Sequence, residues 1–281
     1  MKLTKTYFDA KEEIIQHCKT LSMNLDKLGY VKSNEETDNL VCPFDNWMGI
    51  KEEIGKGQGS ELKTNIYGKV KFCAVHSSTA LCVNNFAPFK QNKENFSFLN
   101  YTGFTEATFE KKLPTGISVP NLDFYLESNN IIIGIESKFI EILNKKLPNT
   151  NLDKYQNRKE MNYLPKTFSE TIQYYIDCKN LLFLDVAQLI KHSIGLINQG
   201  RRMKLEPILV YIYWQPNNWQ NFDVYHKHLE EINEFKERIE RHISFIPISY
   251  LEFWERYGND KTFGKHIGKV MGRYNIPFRE L

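Results

Sequence analysis

The chain has 281 residues, of which 41% are hydrophobic and 25% charged, and a formal net charge of +3 at pH 7. That is enough apolar material for a large core, and it excludes a disordered tail or a small disulfide-stapled peptide. The mild basicity permits a nucleic-acid partner without demanding one, because binding needs local clusters of Lys and Arg and not a large total.

Cys18, Cys42, Cys73, Cys82 and Cys178 are odd in number and scattered without a CxxC pair, which predicts reduced thiols. His226 and His228 are the only close histidine pair, and their spacing does not suit a helical metal site. The amino-terminal MKLTKTYFDAKEEIIQH lacks the apolar run of a secretory signal, and no stretch has the length of a membrane span, so a cytoplasmic protein is expected. No internal repeat or low-complexity linker divides the sequence. One domain over residues 1–281 is expected, with a core at about 55–215 and additions at both ends.

In chain order, residues 5–28 carry Phe8, Ile14, Ile15, Cys18, Leu21, Leu25 and Leu28 at helical spacing, with Gly29 as a stop. The glycine-rich GKGQGSEL, residues 55–62, lacks the GK[ST] ending of a phosphate-binding loop and leads to an expected strand near 69–75. Ser77 or Ser78 can cap a short buried helix, SSTALCVNNFAPF. Three strands follow: ATFEKKL, NLDFYLES and IIIGIESKFI. The third is apolar almost throughout, which suits a central strand covered on both faces. The polar segment 144–166 reads as a loop or insertion. Helical pattern resumes over 168–198, PILVYIYW at 207–214 is a buried strand, and 223–242 is a charged amphipathic helix. ISFIPIS is a short strand, and LEFWERY begins a last helix. The order describes an α/β protein with a mixed sheet and helices on its faces.

An acidic residue, one spacer and a lysine occur six times, at Asp9/Lys11, Glu61/Lys63, Glu110/Lys112, Glu136/Lys138, Asp177/Lys179 and Glu234/Lys236. Only Glu136 and Lys138 end an apolar strand, where charge is costly unless it is paired or binds an ion. Residues i and i+2 of a strand share a face, so these two project side by side, about 7 Å apart, while Ser137 points away. A two-residue turn at Asn129-Asn130 would place Asp123 opposite Glu136. Two carboxylates on a hairpin can hold Mg²⁺, and a lysine beside them can polarise water and stabilise charge on phosphate. The same residues also fit a plain ion pair where a strand leaves the core.

Residues 104–139 resemble the core of the PD-(D/E)xK nucleases, with Pro120-Asn121-Leu122-Asp123 standing for the first motif and Glu136-Ser137-Lys138 for the second. Two residues separate Pro120 from Asp123, a departure from the strict Pro-Asp dipeptide. GSEL at 59–62, HSSTALCVNNFAPF at 76–89 and LDVAQLIKHSIGL at 184–196 resemble a bacterial group of restriction-endonuclease-like proteins. The resemblance implies a restriction-endonuclease-like αβββαβ core, a divalent metal (Mg²⁺, with Mn²⁺ as a substitute) and a DNA substrate more often than RNA. Asp123, Glu136 and Lys138 then form the catalytic core. Glu61 and Glu110 compete for the supporting acidic ligand, with Glu61 favoured. Gln188 resembles a glutamine that some members carry on the helix after the second motif. Asp185, Gln188 and His192 fall on one helix face, with Lys191 beside it.

Lys145, Lys146, Lys154, Arg158 and Lys159 populate the loop after the active-site strand, where phosphates would come. Arg201, Arg202 and Lys204 form a second basic group; Lys261, Lys265, His266, Lys269 and Arg273 form a third. A DNA endonuclease of restriction or defence type is the expected function. A repair exonuclease and a catalytically inactive binding or scaffolding protein on the same fold are the alternatives. Cutting both strands would suit a homodimer.

Overall fold

The computed structural model describes residues 6–57, 59–156, 159–161 and 163–279. The three successive strands of the sequence become β1 (Glu106–Lys112), β2 (Asn121–Glu127) and β3 (Ile131–Lys138), joined by β4 (Glu206–Tyr213) and β5 (Ser244–Ser249) in the order β1-β2-β3-β4-β5. The first three run antiparallel, whereas β3, β4 and β5 are parallel. The flanking helices are α1 (Tyr7–Thr20), α2 (Trp47–Lys56), α3 (Ser78–Gln91), α4 (Lys166–Asp177), α5 (Val186–Met203), α6 (Asp223–Ile239), α7 (Tyr250–Tyr257) and α8 (Gly264–Tyr274). With α4 as an insertion between β3 and α5, the elements α3-β1-β2-β3-α5-β4 form the expected αβββαβ core in a mixed α/β sheet, as in restriction-endonuclease-like proteins.

Every residue of β3 is buried, because both faces of the central strand are covered. Ile131, Ile133 and Ile135 join one core with α3 and α7, where Phe86 stacks on Phe124 and packs against Phe253. Ile132 joins the opposite core with α4, α5 and α6. Between them Gly134 lets α5 approach: a Cβ there would lie 2.5 Å from Leu122 Cδ1 and 2.8 Å from Leu196 Cδ1. β1 is a sheet edge, and side chains cover part of its open backbone. Glu53 Oε2 accepts the Phe109 N–H at 2.9 Å, and Lys90 Nζ donates to the Ala107 carbonyl.

Four expectations are corrected. The first helix stops at Thr20, because the Asp26 carboxylate accepts the N–H groups of Leu28 and Tyr30 and builds a turn in its place. Residues 69–75 form a short 3₁₀ turn and no strand; Asn39 Nδ2 donates to the Phe72 and Ala74 carbonyls that a ladder would use. Helix is interrupted between Asp177 and Val186, where Glu231 Oε2 accepts the N–H groups of Phe183 and Leu184. Lastly, α8 follows α7 as a separate helix.

All five cysteines are free thiols. Among the described residues no helix is long and apolar enough to cross a membrane.

Candidate active site

Strand alternation sends Ser137 to the α7 side, where its Oγ meets Tyr250 Oη at 2.8 Å, and sends Glu136 and Lys138 towards α5. The hairpin has the expected register: Ser128 N–H donates to the Ile131 carbonyl, and pairing runs from Glu127↔Ile132 to Phe124↔Ile135. There the β2–β3 ladder ends, although β3 stays paired with β4 as far as Lys138↔Tyr213. At the next rung the Asp123 carboxylate takes the place of a backbone acceptor, its Oδ2 receiving the Ser137 N–H at 2.7 Å. Asp123 is thereby fixed to the backbone between Glu136 and Lys138.

A similar interruption marks β1. Its ladder passes from Phe109↔Phe124 to Lys111↔Leu122, and the skipped Glu110 adopts φ +52°. A non-glycine residue in that region costs about 1–3 kcal/mol, so the surroundings must hold it there. Asn121 Nδ2 donates to Glu110 Oε2 at 3.2 Å, and Gly57 lies so close that a Cβ would fall 2.4 Å from the same oxygen.

Helix α5 supplies the remaining contacts. Asp185 caps it, its Oδ1 accepting the Gln188 N–H. One turn in, Gln188 Oε1 accepts from Lys138 Nζ at 2.8 Å. His192, four residues on, brings Nε2 to 2.9 Å from Glu136 Oε2, with both side chains almost fully buried. Lys138 Nζ lies 2.5 Å from Glu136 Oε1. The ammonium is thus held between a carboxylate and an amide oxygen.

Burial opposes charge on all of these groups, and the neighbours decide the outcome. Burial works against the Lys138 ammonium, but Glu136, Glu141 and Asp123 outweigh it and keep the amine protonated far above the ordinary lysine range. Burial also pushes Glu136 up, yet Lys138 and His192 hold it below the usual carboxylate range. Asp123 goes the other way: burial and the negative charge of Glu136 raise it well above normal, with Lys138 offsetting only part. Glu110 is pushed up to about 7 by burial, with Glu136 and Glu61 adding to the effect. Asp123 and Glu110 are therefore disfavoured as carboxylates by burial and by their acidic neighbours, more than Lys138 offsets at Asp123.

The Glu61 carboxylate lies 3.9 Å from Lys71 Nζ and is raised by burial, with Glu141 adding to the effect. Of the two competing acids, Glu110 is the one whose field reaches both Asp123 and Glu136. Among the described residues no three His, Cys, Asp or Glu side chains form a cage for a metal ion. Asp123 and Glu136 could still serve as two ligands of a hard cation that takes its other ligands from water and phosphate, the usual habit of Mg²⁺.

In the loop after β3, Lys145 and Lys154 are exposed, and Lys145 also sits over the Phe183 ring. Lys146 is paired with Asp185, and Lys191 donates to the Thr150 carbonyl. Arg158 lies outside the described residues. In the carboxyl-terminal basic group, Arg273 is buried and bonds the Asn39 carbonyl, while a ring nitrogen of His266 meets the Asn84 carbonyl, so neither serves a surface patch. His228 is buried against Tyr211, and His226 contacts the Gln220 carbonyl. Two neighbours of the centre escaped the sequence reading as site residues. His192 was visible on the Gln188 face, but nothing assigned it to Glu136. Glu141, just beyond β3, carried no motif at all.

Fold and site together define a restriction-endonuclease-like α/β protein. Residues 2–275 match the family model described as restriction endonuclease associating with ARP, and the chain belongs to that family. No curated protein and no solved structure matches it. The family is one of nucleases of restriction type.

Proposed function

We propose that this protein is a metal-dependent endonuclease of the PD-(D/E)xK type that hydrolyses DNA phosphodiester bonds. The observation that carries this reading is the Lys138 ammonium held between Glu136 and Gln188, beside Asp123, where β2 parts from β3. A plain ion pair accounts for Glu136 and Lys138 alone. It does not account for Asp123 and Glu110, which are half-buried beside like charge at a cost that a bound cation would remove. Neither Glu136 oxygen has a well-directed hydrogen bond despite its close cationic neighbours, which suits a ligand role.

Asp123 and Glu136 would hold Mg²⁺ or Mn²⁺, with Glu110 as the supporting acid in preference to Glu61. The bound ion would supply positive charge at the phosphate and acidify water. Lys138 acts as a donor and not as a base, since its neighbours keep it protonated. Of its three N–H bonds, Gln188 Oε1 takes one, while Glu136 Oε1 holds the ammonium as an ion pair at 2.5 Å. A remaining N–H is left for the attacking water or a non-bridging phosphate oxygen, where it orients the one and stabilises charge on the other. Water oxygen then bonds to phosphorus and gives up a proton to solvent, the P–O bond to the leaving sugar breaks, and that oxygen departs with a proton from solvent. Lys145 and Lys154, both exposed, would meet backbone phosphates, while Lys146 and Lys191 bond to Asp185 and the Thr150 carbonyl and brace the loop. The family description adds association with a partner, ARP.

The test is to incubate supercoiled circular DNA and linear DNA in parallel with Mg²⁺, Mn²⁺ or a chelator. Metal-dependent nicking of circles supports the endonuclease. Degradation confined to linear ends points to an exonuclease, and inactivity on both points to a binding protein on this fold.

A further inference from the structure

The segment from Glu61 to Phe72 forms a hairpin-like projection rooted at the candidate site. At its root the Phe72 N–H donates to the Glu61 carbonyl at 2.9 Å, and Lys71 Nζ donates to the Gly59 carbonyl at 2.9 Å. Gly57, just before it, lies against the Glu110 carboxylate. Its tip is tightly built. Asn65 N–H bonds the Lys69 carbonyl, Asn65 Oδ1 accepts the N–H groups of Tyr67 and Lys69, and Asn65 Nδ2 donates to Tyr30 Oη. Asn34 Oδ1 accepts the Val70 N–H, and Gly68 supplies φ +70°.

This framework presents two apolar side chains to solvent: Ile66 is 92% exposed and Tyr67 67%. Single exposed hydrophobics are ordinary, but two adjacent ones on a rigid tip mark a contact surface. The flanks select the partner. Lys63 is exposed, and Lys69 and Lys71 stand on the returning arm, with Asp26 and Glu61 3.2 and 3.9 Å away. An apolar point between lysines fits nucleic acid, in which stacked bases lie between rows of phosphates.

We propose that Ile66 and Tyr67 form a wedge that enters the DNA duplex beside the scissile phosphate, Ile66 parting a base step and Tyr67 stacking on an exposed base. The proposal rests on the DNA-cleaving function above. The lysines contact the phosphates on either side, and the hairpin root ties the wedge to Glu110, so parting the bases also sets the position of the backbone in the active site.

The experiment uses the full chain, with Ca²⁺ replacing Mg²⁺ to hold cleavage back, and short duplexes carrying 2-aminopurine at successive positions. Wild type is compared with the I66S/Y67S double variant, whose changes lie at exposed positions and should leave the melting temperature unaltered. Wild type should bind and raise 2-aminopurine fluorescence at one or a few positions. The variant should bind about tenfold more weakly and leave the fluorescence flat, as expected for loss of one stacking contact. Equal affinity with equal fluorescence in both proteins would overturn the wedge and leave the nuclease reading standing. Failure of wild type to bind any duplex would overturn both. Normal DNA behaviour of the variant with lost capture of a protein partner would make the tip a protein-docking surface, and so overturn the wedge.

Discussion

The two ends of the β2–β3 hairpin contrast sharply. At the turn end, Leu126 and Ile133 pair in a regular ladder and their apolar side chains are wholly buried. At the other end the ladder stops after Phe124↔Ile135, Glu136 and Lys138 are buried as an ion pair, and the half-buried Asp123 is disfavoured as a carboxylate beside them. The closed end stabilises the fold through packing. The open end costs stability, because taking charges out of water is repaid only where partners are complete. One strand thus serves both ends, and the position along it decides which.

If that division holds, substitutions at the two ends should move activity and stability in different directions. The largest effect is expected at the open end. Asp123→Asn should lower cleavage by about 10³-fold, on the scale of losing one transition-state contact. In the absence of metal it should also raise the melting temperature by about 2 °C, because it relieves repulsion from Glu136 and Glu110 and keeps an acceptor for the Ser137 N–H. Calorimetry alongside the cleavage assay checks both; a lower melting temperature would contradict the strain.

At the closed end, Ile133→Ala should cost about 2–5 kcal/mol in urea unfolding, through lost burial and a cavity beneath the sheet. The fraction that remains folded should cleave at the wild-type rate. Gln188→Ala should be milder, lowering the single-turnover rate about tenfold, as is usual for a residue that orients a functional group. Its substrate affinity should stay near that of wild type.

The smallest effect is a pH dependence away from the centre. Burial pushes Glu231 up to about 7, even though the N–H groups of Leu184 and Phe183 favour its charged form. An unfolded glutamate titrates near 4.3, so between the two values the native state holds the extra proton and stability falls as pH rises. Glu231→Gln should flatten that fall and melt about 2 °C above wild type at pH 8. Parallel melting curves for the two proteins from pH 4 to pH 8 would contradict it.

The contrast between the two ends was legible in the sequence to a definite depth. The run Ile131 to Ile135 and the charged pair that follows it announced a central strand ending at a site, and the Asn129-Asn130 turn set the register. Period-two patterns report local geometry, and a short hairpin adds only one count across a turn. What escaped depends on side chains competing with the backbone. Asp26 ends α1 early, Asn39 replaces a strand with a turn, and Asp123 replaces a ladder rung. The positive φ of Glu110 has no sequence signal, because the surrounding contacts impose it. His192 lay on the Gln188 face, but its contact with Glu136 needs the packing of α5 on β3, which Gly134 permits.

The most direct test of the nuclease centre is cleavage of supercoiled plasmid in Mg²⁺ by wild type and Lys138→Ala, purified identically. The account predicts metal-dependent nicking by wild type and its loss, by at least about 10²-fold, in a variant that remains folded. Equal nicking by both proteins would show that Lys138 does not serve the reaction and would contradict the account.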